Sequence, residues 1–143
     1  MTTHVFVYGT LLSNIPGSMS KFLRRRATLI GKASTPGALY DLGRYPGFVA
    51  GGEARVTGEL YRLDPSQQEQ TLAMLDAYES VTGEPEDEYR RVEVSVRVGG
   101  GGVFRAFTYE YTGDVSRLPT VPKGDYPPYY RSQPDHQAFV NGE

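Results

Sequence analysis

The hydrophobic pattern changes period several times along this chain, and each change marks an element. His4-Val5-Phe6-Val7-Tyr8 is an unbroken β-prone run that stops at Gly9, which predicts a buried strand feeding a turn. Ser18 to Arg26 reads as a short helix with a solvated Arg24-Arg25-Arg26 end. Strand character returns from Ala27 to Tyr40. The turn-dense stretch Asp41-Leu42-Gly43-Arg44-Tyr45-Pro46-Gly47 follows as a loop, and Glu53 to Leu63 reads as another strand. Gly58 inside that strand marks a bulge, a barrel bend or a close approach to the backbone. The clearest helix runs from Ser66 to Tyr78, capped either at Asp64-Pro65 or through the Ser66-Gln67-Gln68-Glu69 box. Leu72, Leu75 and Tyr78 recur along it at helical spacing as one buried stripe, flanked by Thr71 and Met74. Glu79 arrives at the helix end beside that stripe.

After a polar, acidic loop from Thr82 to Glu88 the period becomes two: Val92, Val94, Val96 and Val98 alternate with Arg91, Glu93, Ser95 and Arg97. Four glycines, Gly99 to Gly102, supply a turn, and Val103 to Tyr111 returns as the second strand of a hairpin. Beyond Thr112, Pro119, Pro122, Pro127, Pro128 and Pro134 exclude a long helix or central strand. That predicts an extended tail that packs through its tyrosines and frays near Glu143. Several strands around one strong helix, with glycines at bends, indicate an α+β fold with a curved or closed sheet rather than a doubly wound one. The organisation expected is a domain over residues 1–114 with a Pro/Tyr-rich C-terminal extension, 115–143, packed on it.

Composition narrows the functions open to such a fold. A chain of 143 residues encloses one core, so one site is expected. Its 11 tyrosines and 6 phenylalanines bring large apolar bodies, many with a polar tip able to face a cavity. Fifteen basic against 17 acidic residues, a formal charge of −2, give no general attraction to nucleic acid or anionic lipid, and neither is expected as a partner. The absence of cysteine removes disulfides, thiolate nucleophiles and cysteine-type zinc sites, and two histidines make a metal site unexpected. No apolar run matches a signal-peptide core or a membrane span, so a cytoplasmic protein without metal or cofactor is the expectation.

Two places carry candidate chemistry. At Tyr8-Gly9-Thr10-Leu11 a buried strand halts at a glycine and a small hydroxyl residue, where successive N–H groups either converge as an anion-binding nest or form an ordinary strand-ending turn. Glu79 lies at a helix C-terminus, where the macrodipole disfavours an acid, and is either a solvated carboxylate or a functional one. Asp76, three residues earlier, faces solvent or braces a loop, while Glu84, Glu86, Asp87 and Glu88 form an exposed acidic loop or a gate. Tyr89 and Arg91 share the strand face opposite the valines, placed to line a cavity or to contact the loop holding Glu79. Arg44 and Tyr45 form a pocket rim or a surface corner, and His4 and His136 are structural or exposed.

The ordered set Tyr8-Gly9-Thr10-Leu11, Gly37-Ala38-Leu39-Tyr40, Leu42-Gly43-Arg44-Tyr45-Pro46, Val56-x-Gly58-Glu59-Leu60-Tyr61, Leu75-Asp76-Ala77-Tyr78-Glu79 and Tyr89-Arg90-Arg91 resembles the gamma-glutamylcyclotransferase-like superfamily, including its AIG2-like and gamma-glutamylamine cyclotransferase members. The likeness spans roughly residues 4 to 111. It implies a small mixed β-barrel with flanking helices and a small-molecule gamma-glutamyl substrate. It also implies a backbone site at Tyr8, Gly9, Thr10 and Leu11 for the glutamyl carboxylate, with Glu79 as the catalytic carboxylate. Tyr89 and Arg91 are expected in support. In that reaction the substrate's own α-amino group closes a five-membered ring and expels an amine, so the protein need supply only a folded-back conformation and one base, without metal. The apolar wall expected to raise the pKa of Glu79 is the Leu72/Leu75/Tyr78 stripe. Two alternatives stay open: a non-catalytic barrel that binds a small carboxylate, and an interaction module whose Tyr126 to Tyr130 segment docks a protein. The acidic loop and the proline-rich tail depart from the compact family pattern and leave the leaving amine unspecified.

Overall fold

The computed structural model describes residues 2–142, and among them five strands close into a barrel in the order β1-β3-β2-β4-β5. β1 (His4–Val7) is apolar on both faces because it is buried on both, pairing antiparallel with β3 and closing the barrel in parallel with β5 at Val5 opposite Phe107. β2 (Ala27–Asp41) and β3 (Pro46–Leu63) form a long hairpin, bulged at Leu29/Gly31 and Pro36/Gly37. Its turn is closed by the Leu42 N–H donating to the Tyr45 carbonyl at 3.0 Å. The expected loop over residues 41–47 is therefore shorter, and residues 46–52 are strand. β2 offers them a ladder, with Leu39 opposite Phe48 and Ala38 opposite Val49, and this pairing overrides the turn preference of Pro46 and Gly47.

Gly58 is a close approach, as one of its three readings has it. A Cβ there would lie 2.1 Å from the Val7 carbonyl oxygen and 2.8 Å from the Phe6 ring, so β1 crosses β3 only because Gly58 lacks a side chain.

α1 (Ser18–Arg26) takes its sequence-predicted limits, with Ser20 and Leu23 as its buried face. A 3-10 turn, Pro65–Gln67, capped by Asp64 accepting from the Ser66 N–H at 3.0 Å, leads into α2 (Gln68–Tyr78). Thr71, Leu72 and Leu75 are buried, whereas Met74 is exposed. β4 (Tyr89–Val98) and β5 (Val103–Tyr111) form the predicted hairpin in unbroken register from Tyr89 opposite Tyr111 to Arg97 opposite Val103.

The tail corrects one expectation. It is not extended to its end but forms two short helices, α3 (Tyr126–Arg131) and α4 (Pro134–Val140). Proline excludes a helix interior yet suits a first turn, and both helices place proline there. The segment before them is stitched to the barrel by Asp41 N–H to the Pro119 carbonyl at 2.8 Å and Val121 N–H to the Leu39 carbonyl at 2.9 Å. Tyr126 and Tyr130 are buried, so the tyrosines pack inward as expected. His136 is structural and fully buried. It spans the Tyr126 hydroxyl through Nδ1 and Asp41 through Nε2, both at 2.7 Å. The expected fraying near Glu143 lies outside the described residues. No helix among those residues is long and apolar enough to cross a membrane.

Candidate active site

The end of α2 sets the position of Glu79. Ser80 N–H donates to the Ala77 carbonyl at 3.1 Å and Val81 N–H to the Asp76 carbonyl at 2.8 Å, the paired bonds of a Schellman motif. Ser80 takes the left-handed conformation that this motif needs, φ 56°, where glycine is the usual residue. Glu79, at the cap, still donates its N–H to the Leu75 carbonyl at 3.0 Å. The chain thus reverses immediately beyond Glu79, and the carboxylate is directed into a cavity instead of along the helix surface.

That cavity, about 160 Å³, is walled by the end of β1 (Phe6, Val7), the loop Tyr8 to Leu11, Tyr45 and Pro46, the Tyr78-Glu79-Ser80 corner, Glu88, Tyr89, Tyr109 and Phe139. The two motifs picked out from sequence, 68 residues apart at Thr10 and Tyr78, are joined directly: Thr10 Oγ1 and the Tyr78 hydroxyl lie 2.9 Å apart. Tyr8 donates its hydroxyl to the Tyr109 carbonyl at 2.8 Å, and Tyr89 donates to the Pro46 carbonyl at 2.7 Å. Pro46 in turn presses on the loop, since a Cβ on Gly9 would meet its Cγ at 2.6 Å. Gly9 thus admits Pro46. The turn is closed by the Leu12 N–H donating to the Gly9 carbonyl at 3.0 Å. Among the described residues the amides of Gly9, Thr10 and Leu11 donate to no backbone carbonyl.

Electrostatics single out Glu79. Burial pushes its carboxyl from 4.5 up to about 8, and the negative charge of Glu88 adds to the rise. No hydrogen bond among the described residues opposes that shift. Of the wall expected, Tyr78 lines the cavity while Leu72 and Leu75 are core residues that do not, and the other tyrosine rings around the carboxyl belong to Tyr8, Tyr89 and Tyr109. Burial raises the pKa of each of these phenols, and Tyr45 is held at about 12, so all stay neutral near pH 7. No lysine or arginine lines the cavity among the described residues.

Of the expected supporting pair, Tyr89 lines the cavity and Arg91 does not. Arg91 pairs with Asp76 at 3.1 Å and lies over the Phe107 ring. Asp76 accepts the Tyr109 hydroxyl at 2.6 Å, so Arg91 and Asp76 brace a wall residue from outside. Tyr45 is part of the rim, its hydroxyl donating to Glu88 at 2.6 Å, while Arg44 lies over the Phe139 ring. Asp87 organises the acidic loop by accepting from Thr82 N–H at 2.7 Å and Gly83 N–H at 2.9 Å, and so delivers Glu88 to the cavity mouth. Sequence reasoning missed Tyr109 and Phe139. Tyr109 sits in an alternating strand with no local mark, and Phe139 lies beyond every motif.

Comparison with known proteins agrees with this architecture. The family model described as "Gamma-glutamyl cyclotransferase, AIG2-like" matches residues 5–128. A relative from Vibrio cholerae is 39% identical over 124 residues, covering 85% of this chain and 93% of its own. The gamma-glutamylcyclotransferase family protein YtfP of Escherichia coli is 35% identical over 123 residues, covering 85% of this chain and 94% of its own. The crystal structure of an AIG2-like protein from Mus musculus superposes with a TM-score of 0.67 at 27% identity, covering 87% of each chain. A family match over most of the chain, curated relatives above 30% identity and a shared barrel converge: the chain belongs to the gamma-glutamyl cyclotransferase, AIG2-like family.

Proposed function

We propose that this protein cyclises the gamma-glutamyl group of a gamma-glutamyl amine to 5-oxoproline and releases the amine, with Glu79 as the proton carrier. The observation that carries the reading is a carboxyl with a pKa near 8 in the same small cavity as a loop whose three successive amides have no backbone partner. Successive amides suit the substrate's α-carboxylate, which then needs no cationic side chain. With that group held at Tyr8, Gly9, Thr10 and Leu11, the α-amino nitrogen folds toward the γ-carbonyl and Glu79.

The steps balance without a further reactant. The α-amino nitrogen, neutral when it attacks, bonds to the γ-carbonyl carbon as the carbonyl π pair moves to oxygen, and the ionised Glu79 takes the one proton that this nitrogen sheds. The amide bond to the leaving nitrogen then breaks as Glu79 returns the proton to it. A carboxyl of ordinary pKa is a weak base and, once ionised, a poor proton donor near neutrality. One held near 8 serves in both directions. Tyr89 fixes Pro46 against the loop, and Arg91 acts through Asp76 and Tyr109, so both are positioning residues. The chemistry assigns no role to a metal.

The test is to incubate the protein with a panel of gamma-glutamyl amines and follow 5-oxoproline by mass spectrometry. Release is expected from at least one member, with a loss of about 10²–10⁴-fold in Glu79→Gln. Substrates with an amidated α-carboxyl should be turned over poorly. Binding of 5-oxoproline without release from any member would instead favour a barrel that only binds small carboxylates.

A further inference from the structure

The family match ends at residue 128, yet the cavity wall includes Phe139, from α4. Part of the wall stands toward solvent. Ser80 and Glu88 are exposed, and Tyr45, Tyr78, Glu79 and Phe139 are half-buried, whereas Tyr8, Thr10 and Leu11 are buried. Of these, Tyr45, Glu88 and Phe139 form one unit. The rings of Tyr45 and Phe139 lie 4.9 Å apart, Tyr45 holds Glu88 through its hydroxyl at 2.6 Å, and the Arg44 guanidinium lies 5.4 Å from the Phe139 ring.

A single side chain anchors both halves of this unit. Asp41 accepts the Gly43 N–H at 2.7 Å, which fixes the 42–45 turn that carries Tyr45. The same oxygen meets His136 Nε2 at 2.7 Å, three residues before Phe139 on α4, and the other oxygen takes the Tyr129 hydroxyl. His136 is fully buried, so the tail is clamped to the barrel beside the cavity mouth.

From this arrangement we infer that Phe139 is a specificity-determining residue: with Tyr45 it forms an aromatic wall for the hydrocarbon part of the leaving amine, and Asp41 and His136 are the positioning residues that hold the wall in place. The inference rests on the proposed reaction. There the glutamyl carboxylate occupies the buried loop, and the leaving nitrogen therefore faces the mouth. Hydrocarbon laid against these two rings, which contact each other, gains by leaving water, so amines with an alkyl arm are selected over the smallest ones.

Gamma-glutamyl butylamide and gamma-glutamyl methylamide, compared by kcat/KM from 5-oxoproline release, test this directly. In Phe139→Ala the butyl-to-methyl ratio is expected to fall roughly tenfold, the scale on which apolar pockets discriminate hydrocarbon. Phe139→Leu, which restores apolar bulk, should recover most of it. His136→Gln should lower the ratio with Phe139 still present, while a thermal melt checks that the chain remains folded. A general loss of stability would scale both substrates alike and leave the ratio unmoved. An unchanged ratio in Phe139→Ala, with the wild type active, overturns the role of Phe139 and spares the proposed reaction. Release from neither substrate by the wild type overturns the selection of alkyl amines, and release from no member of the panel overturns the reaction as well.

Discussion

Replacing Glu79 by Gln tests the environment of the carboxylate without any substrate. The amide keeps the size and shape of the side chain and removes its titration. In the unfolded chain this group ionises near 4.5, and in the folded protein near 8. Below 4.5 it is neutral in both states, so wild type and variant should be about equally stable. As pH rises through 4.5 the unfolded chain releases its proton while the folded protein keeps it, and wild-type stability falls progressively. The fall is complete once pH exceeds the folded value near 8. At about 1.4 kcal/mol per pH unit, the interval sets a ceiling of about 5 kcal/mol. Solvent reaching the carboxyl through the cavity mouth and relaxation of the site reduce this to roughly 1.5–3 kcal/mol.

The assay is urea or thermal unfolding of both proteins at pH 5, 7 and 9. Glu79→Gln should be nearly neutral at pH 5 and more stable than wild type by roughly 5–10 °C in Tm at pH 9. The enclosing phenols have pKa values raised by burial, so they leave this window clear. Glu88 is the neighbour that contributes. Glu88→Gln should move the Glu79 transition to lower pH, because it removes the negative charge that opposes ionisation. A stability difference constant from pH 5 to 9, or a variant less stable at pH 9, would refute the claim that the cavity holds this carboxyl in its neutral form.

Three further outcomes are expected. Gly58→Ala should destabilise the barrel by about 3 kcal/mol or more, measured by urea unfolding, because its Cβ would meet the Val7 carbonyl oxygen at 2.1 Å and backbone cannot move aside as a side chain can. Ser80→Gly should stabilise by roughly 0.5–1 kcal/mol by relieving the left-handed conformation at φ 56°, with 5-oxoproline release showing whether the looser corner costs turnover. On the proposed reaction, turnover should survive prolonged treatment with EDTA, and chelator-sensitive activity restored by one metal would displace Glu79 as sole proton carrier.

Much of the fold was legible because it rests on local signals. The valine alternation in β4, the glycine turn after it and the stripe in α2 each record a burial pattern that the barrel then uses. The start of β3 was not legible, since Pro46 to Gly52 becomes strand only through pairing with β2. Helices in the tail were hidden because proline, read as a breaker, also starts helices. At the site, Glu79 and the Tyr8 to Leu11 loop stood out because each ends an element at an unusual residue. Tyr109 and Phe139 reach the cavity only through long-range pairing and tail docking, which leave no period in the sequence.

On the proposed reaction, the composition of the cavity bears on why its carboxylate-binding site should avoid cationic side chains. An arginine or lysine placed to hold the substrate's α-carboxylate would also lie within a few ångströms of Glu79 in so small a cavity. At that range an opposite charge lowers a carboxyl pKa by about 1–3 units, returning Glu79 toward ordinary acidity and removing its capacity to give a proton back. Backbone amides avoid the conflict. Their partial charges are directional and converge on an anion seated in the loop, while their net charge is zero. The tyrosines serve the same end, because they enclose the carboxyl and fix the loop through Tyr8 and Tyr78 without bringing charge into the cavity. Glu88, at the mouth, is the charged neighbour among the lining residues, and its sign reinforces the shift. On the proposed reaction, the one proton exchanged in the cavity is then that which Glu79 takes from the substrate's neutral α-amine and returns to the leaving nitrogen.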